Sequence, residues 1–351
     1  MLMDTCENEI LVLGDGDFSY SASLVPSIMN QYHLTSTVFL SMEELLSTYG
    51  NDVLKKIQSL TEQNVKVVFS VDATDLPPTI YQKQYDSIHF NFPHSGGKGK
   101  ISENRKLLVN IFKSLQALVK ATGNIEIALL PGQGGTPADG ESLRSKGNNW
   151  NIQEAAAQSG FILYSTNSLT ETLQSLQPGS YIEQYLKESN YIGQSFTYRC
   201  NTTIGHFDEL FSIVLDENER PSKRAKLEET ETIDHHILKV TNLESKKMLF
   251  YPINKTKVLY PSCIRHDVSM WTDSATTPNI IPVLLECIGL ALHQVGKREP
   301  EPWFNPTLQK YSHCFSITYS HPFEALSEQF VKQLAHGTVR EHLAKSGFDL
   351  H

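Results

Sequence analysis

The sequence predicts an α/β protein, in which a doubly wound domain with a parallel-rich sheet is followed by a small α+β unit. Three observations predict it. Short apolar runs alternate with helix-length amphipathic stretches over residues 9–215, the pattern of strands covered on both faces by crossover helices. The first and fourth runs end in turns rich in glycine or proline, at the edge where open α/β sheets hold ligands. Between Asp216 and His236 the composition turns charged and polar before strand and helix patterns resume, which marks a solvated linker.

The elements follow in order. Glu9 to Leu13 is a short apolar strand that stops at Gly14-Asp15-Gly16-Asp17, and Phe18, Ala22, Val25 and Ile28 then recur at helical spacing. Thr37 to Leu40 reads as the second strand and Glu43 to Leu60 as a helix. Val65 to Phe69 is the third strand, Tyr85 to Phe92 the fourth, Ile101 to Ala121 a helix and Ile125 to Leu130 the fifth strand. The expected domains are 1–215, a linker 216–236 and a second unit 237–351. In the linker, Lys223-Arg224-Ala225-Lys226 is a candidate nuclear import signal or a plain charged surface segment. In the second unit Lys257 to Tyr260, Asp267 to Trp271 and Cys314 to Tyr319 read as strands, with helices over Ile280–Val295 and Pro322–Lys345.

Composition narrows the class. The chain has 351 residues, enough for two domains with their own cores. No apolar run approaches the ~18 residues of a membrane span, so no membrane partner is expected. Five scattered cysteines without a CxxC pair argue against a disulfide framework and against a metal site. The expectation is an intracellular protein, of the nucleus, nucleolus or cytoplasm. A net charge of −9 supplies no general basic footprint for nucleic acid, so binding RNA calls for a local basic patch.

The glycine turn on its own suits a dinucleotide, a phosphate, S-adenosylmethionine or merely close packing of strand on helix. No Gly-Lys-Ser/Thr follows, which excludes a P-loop. Asp15 and Asp17 in the turn repel a pyrophosphate. They suit a ligand that carries an ammonium and a sulfonium, with free backbone N–H groups taking its carboxylate; Asp17 is equally suited to cap the following helix. An acid ~20 residues on is wanted for ribose hydroxyls, and Glu43 or Glu44 stands nearest. Asp72, after the third strand, can accept from an adenine amino group or close its own turn.

The fourth strand ends in Asn91-Phe92-Pro93-His94-Ser95-Gly96-Gly97-Lys98. Proline ends the ladder. Asn91 offers an amide to fix a base edge, and Phe92 or His94 offers a ring to stack on a base. The stretch resembles the Asn/Asp-Pro-Pro-Tyr tetrapeptide of methyltransferases that modify ring-system nitrogens.

Leu13-Gly14-Asp15-Gly16-Asp17-Phe18-Ser19, Val71-Asp72-Ala73-Thr74, Phe90 to Lys98, and Asn149-Trp150-Asn151-Ile152 opening a late helix together resemble the large-subunit rRNA uridine-N3 methyltransferases, over roughly residues 9–205. That resemblance implies a Rossmann-like methyltransferase fold with S-adenosylmethionine at Gly14, Asp15, Gly16, Phe18, Ser19, Glu43 and Asp72. Asn91, His94 and Asp17 are then the candidate catalytic groups, with His94 the first choice of base. Phe92, Pro93 and Lys98 are the candidate contacts to RNA. Tyr260-Pro261 and Arg265-His266-Asp267-Val268-Ser269-Met270-Trp271, with a weaker echo in Ser316 to Tyr319, resemble the ferredoxin-fold anticodon-binding domain of phenylalanyl-tRNA synthetases. Arg265, Lys297 and Arg298 are its expected contacts to an RNA backbone. The implied activity is methyl transfer to a uridine ring nitrogen of rRNA or tRNA, with RNA and a possible protein as partners. The rival expectation is a non-catalytic RNA-binding or scaffold protein that keeps the fold.

Overall fold

The computed structural model describes residues 8–28, 31–96, 99–168, 194–200 and 256–351. The chain divides between Thr202 and Thr203 into two compact units. The linker expected at 216–236, its import-signal candidate and the expected boundaries at 215 and 237 lie outside the described residues.

The first unit is built on a seven-stranded sheet in the order β3-β2-β1-β4-β5-β7-β6. Its strands are β1 (Asn8–Leu13), β2 (Tyr32–Thr37), β3 (Lys66–Val68), β4 (Tyr85–Asn91), β5 (Val119–Leu129), β6 (Phe161–Ser168) and β7 (Gln194–Cys200). The pairs from β3 through β5 are parallel, and β7 runs antiparallel to both β5 and β6. The helices are α1 (Ser19–Ile28), α2 (Met42–Tyr49), α3 (Asp52–Glu62), α4 (Ile101–Leu115) and α5 (Ile152–Ala157). This is the Rossmann-like architecture expected of the sequence. Ile10 and Val12 of β1 pack with Phe18, Val25, Leu34, Leu45 and Leu60 in one core. Strand order reverses between β1 and β4, so the crevice beyond their carboxyl ends is the topological switch point.

Several element bounds differ from expectation. The second strand is Tyr32–Thr37, not Thr37 to Leu40. Thr35, Ser36 and Thr37 are buried there, and two of the hydroxyls find internal partners: Ser21 and Ser36 Oγ meet at 2.6 Å and Thr37 Oγ1 donates to the Val12 carbonyl at 3.0 Å. Glu43 to Leu60 is two helices, broken at Gly50, which takes φ +69°. The fourth helix ends at Leu115, and Val119 already belongs to β5.

The second unit has β8 (Ile264–Thr272), α6 (Ile281–Ile288), β9 (Leu292–Lys297), β10 (Trp303–Asn305), β11 (Lys310–Tyr319), α7 (Glu328–Leu334), α8 (Arg340–Lys345) and β12 (Asp349–Leu350). All its pairings are antiparallel: β11 lies between β8 and the β9 and β10 segments, and β12 adds to β8. The β-α-β-β-α-β order with β8 and β11 central is the ferredoxin-like arrangement, as expected. Val268, Met270, Leu284, Ile288, Phe315, Ile317 and Val331 form its core. Lys257 to Tyr260 is irregular rather than a strand. The expected helix to Val295 stops at Ile288, and Leu292 begins β9. The last helical stretch starts at Glu328, behind the N-cap Ser327, instead of at Pro322.

Candidate active site

The first loop is shaped by what its own carboxylates do. Asp15 is only 6% exposed and turns inward, accepting from the backbone N–H of Tyr20 at 3.3 Å and of Ser21 at 2.7 Å. Burial raises its pKa to about 6, against those hydrogen bonds. Asp17 accepts from the Ser19 backbone N–H at 3.1 Å and from its hydroxyl at 2.8 Å, and pairs with Lys56 of α3 at 2.6 Å. The first-turn amides of α1 are therefore satisfied within the protein. This corrects two expectations: Asp15 does not face a ligand, and Asp17 is a paired, capping carboxylate rather than an open base. Among the described residues, the amides left without a protein acceptor in the turn are those of Gly16 and Asp17.

Phe18 is also corrected as a ligand contact. It is fully buried against Phe69, rings 6.0 Å apart and nearly perpendicular, with φ +62°. Ser19 is buried, its hydroxyl engaged by Asp17 and Lys56. Gly14 takes φ +61°, and the Phe90 ring lies where a Cβ would be.

At the end of β2, Ser41 and Glu44 form a reciprocal capping box on α2, which removes Glu44 as a ribose acid. Glu43 is exposed in the first turn of α2, with no partner among the described residues. Ser41→Ala is expected to cost about 1 kcal/mol of stability in urea unfolding while leaving Glu43 and any ligand it holds untouched. Asp72 closes its own turn, accepting from the Thr74 amide at 2.8 Å and hydroxyl at 2.7 Å.

Asn91 ends β4 and Phe92 follows with φ +53°, its amide still bonded to the Ala128 carbonyl at 2.9 Å. Pro93 is buried. His94 is exposed; its Nδ1 accepts from the Gly96 amide at 2.9 Å, so the neutral ring carries its hydrogen on Nε2 and presents a donor. That geometry does not support His94 as the base. Lys98 lies outside the described residues.

A second loop, which leads into the Asn149-Trp150-Asn151-Ile152 motif, closes on this one. Asp139 is buried and accepts from the amides of Gly132, Gly135 and Thr136 at 2.8, 2.6 and 3.0 Å. The Trp150 amide bonds to the Gln133 carbonyl at 2.6 Å, and Arg105 of α4 holds the Asn149 carbonyl at 3.0 Å. Together they seat Trp150 6.1 Å from His94, ring to ring. Asn151 has φ +50°. Phe18, Phe92 and Asn151 thus put left-handed, non-glycine backbone after three strands at the same sheet edge, a concentration typical of ligand sites.

Polar side chains also follow β4 inward. Ser87, His89 and Asn91 alternate on one face, opposite Asn124, Glu126 and Ala128 of β5. His89 is buried, which lowers its pKa. Lys56, Tyr20, His89 and Asp139 carried no assigned role in the sequence, and Trp150 stood there only within the Asn149–Ile152 motif; the Ser-His-Asn alternation was the other signal to be read.

In the second unit Arg265 is exposed, on the sheet face that carries Asp267, Ser269 and Trp271 and points away from the core. Arg298 is paired with Asp267, which diverts it from a phosphate. Among the described residues no cluster of three or more His, Cys, Asp or Glu could hold a metal, and no helix is long and apolar enough to cross a membrane.

Residues 11–173 match the model of a family described as BMT5-like, rRNA (uridine-N3-)-methyltransferase BTM5-like. The mouse ferredoxin-fold anticodon-binding domain-containing protein 1 homolog is 36% identical over 157 residues, 44% of this chain and 25% of that protein. The human ferredoxin-fold anticodon-binding domain-containing protein 1 is 35% identical over 158 residues, 44% of this chain and 24% of that protein. The matched stretch spans about a quarter of the length of these relatives. A 16S rRNA (adenine(1408)-N(1))-methyltransferase from Catenulisporales acidiphilia has a TM-score of 0.37 at 11% identity, over 56% of this chain and 89% of that one. The resemblance of the N-terminal unit to the uridine-N3 methyltransferases stands.

Proposed function

We propose that the chain is an S-adenosylmethionine-dependent RNA methyltransferase acting on a uridine ring nitrogen, N3, of rRNA or tRNA. One observation carries this reading: the glycine turn and the Asn91-Phe92-Pro93-His94 tip end β1 and β4, the neighbours that flank the switch point. The free Gly16 and Asp17 amides fit the cofactor's carboxylate. Glu43 fits the ribose, and Asp72 the adenine amino group once its turn opens. When bound, S-adenosylmethionine supplies an electrophilic methyl group. Asn91 orients the base, Phe92 stacks on it, and the His94 Nε2–H donates to a uridine carbonyl oxygen as negative charge grows there. The N3 proton leaves to solvent. Lys98 completes the substrate contacts. In the second unit Arg265, towards one end of the sheet face that carries Trp271 and the exposed Trp303 at its other end, offers RNA a cation and stacking surfaces along that face.

The rival reading, an RNA-binding scaffold that has lost catalysis, draws on the internally satisfied first turn of α1. Calorimetric titration separates them. Methyltransferase function requires micromolar binding of S-adenosylmethionine and none of NAD, then transfer to unmodified large-subunit rRNA or tRNA transcripts with N3-methyluridine as the product by mass spectrometry. Folded protein that retains those transcripts but binds no S-adenosylmethionine would establish the scaffold instead.

A further inference from the structure

The glycine turn sets a carboxylate beside the very groups that are to hold one. Among the described residues, the turn amides without a protein acceptor are those of Gly16 and Asp17. The Asp17 carboxylate hangs from the same residue as the second of them, within the ~4–6 Å over which neighbouring charges act strongly. Left alone, it would oppose any anion on those amides. Lys56 of α3 removes the opposition. Its Nζ lies 2.6 Å from Asp17 Oδ2 and 2.6 Å from Ser19 Oγ, and the same carboxylate accepts from the Ser19 amide and hydroxyl. The two charged side chains are 32% and 13% exposed, so salt screens the pair less than a surface one. The turn backbone is itself held from both sides. A Cβ on Gly14 would stand 2.6 Å from Phe90 Cε2, and one on Gly16 would stand 2.9 Å from the Tyr49 hydroxyl oxygen. With the backbone fixed in this way, the charge balance decides whether an anion is accepted.

We propose that Lys56 is a positioning residue of the cofactor site: it holds and neutralises Asp17, so that the Gly16 and Asp17 amides can take the α-carboxylate of S-adenosylmethionine. Lys56 acts through Asp17 and touches no ligand. The proposal rests on the methyltransferase reading. It opposes the arrangement in which Asp17 receives the cofactor's ammonium, because there Lys56 competes with the ligand and its removal strengthens binding.

Calorimetry on the full chain tests it with two ligands, S-adenosylmethionine and decarboxylated S-adenosylmethionine, which lacks only that carboxylate. Wild type binds the intact cofactor more tightly. Lys56→Met lowers that affinity about tenfold and does not weaken the decarboxylated ligand, a loss of selectivity that general damage to the fold would not produce. Lys56→Gln, which keeps a donor for Asp17 without the charge, behaves in the same way, and Lys56→Arg stays near wild type. Adding Asp17→Asn to Lys56→Met restores most of the affinity, because asparagine still caps α1 and no longer repels. Equal losses for the two ligands, an unchanged affinity in Lys56→Met and Lys56→Gln, or a double variant no better than Lys56→Met each overturn the proposal. Tighter binding in Lys56→Met with weaker binding in Asp17→Asn assigns Asp17 to the ammonium and overturns it too. Folded wild type that binds neither ligand removes the methyltransferase reading and this proposal together, a result distinct from every loss confined to the variants.

Discussion

An Asp15→Ala variant loses about 2–5 kcal/mol of stability, because two buried first-turn amides of α1, those of Tyr20 and Ser21, then have no acceptor. Asp15→Asn separates the hydrogen bonds from the charge. The wild-type carboxyl titrates near 6 when folded, against 3.8 for the ordinary group. A folded pKa above the unfolded one means that the native state holds the proton more tightly. Its contribution to stability is complete below about pH 3.8 and is lost as the pH rises through 6. The shift corresponds to about 3 kcal/mol. The stability of wild type relative to Asp15→Asn should therefore fall by about that amount between pH 4 and pH 7, read from urea midpoints of the two proteins. Parallel curves would show that Asp15 is not held as described.

Gly14→Ala carries the largest expected effect on ligand binding. The residue has φ +61°, and an added Cβ stands 2.6 Å from Phe90 Cε2. Left-handed backbone costs an L-residue about 1–2 kcal/mol, and relieving the contact displaces Phe90, the residue before Asn91. Both the cofactor turn and the β4 tip move. S-adenosylmethionine affinity should fall at least a hundredfold, about 3 kcal/mol, in calorimetry on protein whose circular dichroism is native. Gly50→Ala is the control: φ is +69° with open space around it, so it carries the backbone strain alone and keeps its affinity. Equal affinities in wild type and Gly14→Ala would remove the turn from the site.

What could be read in the sequence follows from how each element ends. β1 and β4 were legible because apolar runs stop at Gly14 and at Pro93. β2 was misplaced because its buried end is Thr35, Ser36 and Thr37, the last two with paired hydroxyls, which leaves no apolar run to read. The α4–β5 border was blurred because no glycine or proline separates Leu115 from Val119, whereas at the α6–β9 border Gly289, the C-cap of α6 with φ +43°, is a stop signal hidden in an otherwise apolar run. At the site, the Asn-Phe-Pro-His tip was visible as a motif. The partners that define it were not: Lys56 reaches Asp17 across 39 residues and Tyr20 reaches His89 across 69, pairings that only the packed register creates.

The antiparallel β7 has a consequence for synthesis of the chain. It sits between β5 and β6, so β6 cannot join the sheet until residues 194–200 have been made and threaded into place. A nascent chain that has reached residue 173, where the family match ends, holds β5 with an open ladder edge and β6 without its neighbour. An unpaired edge of that kind recruits other strands. Fragments cut between β6 and β7 should aggregate during expression, and those that run through Cys200 should not.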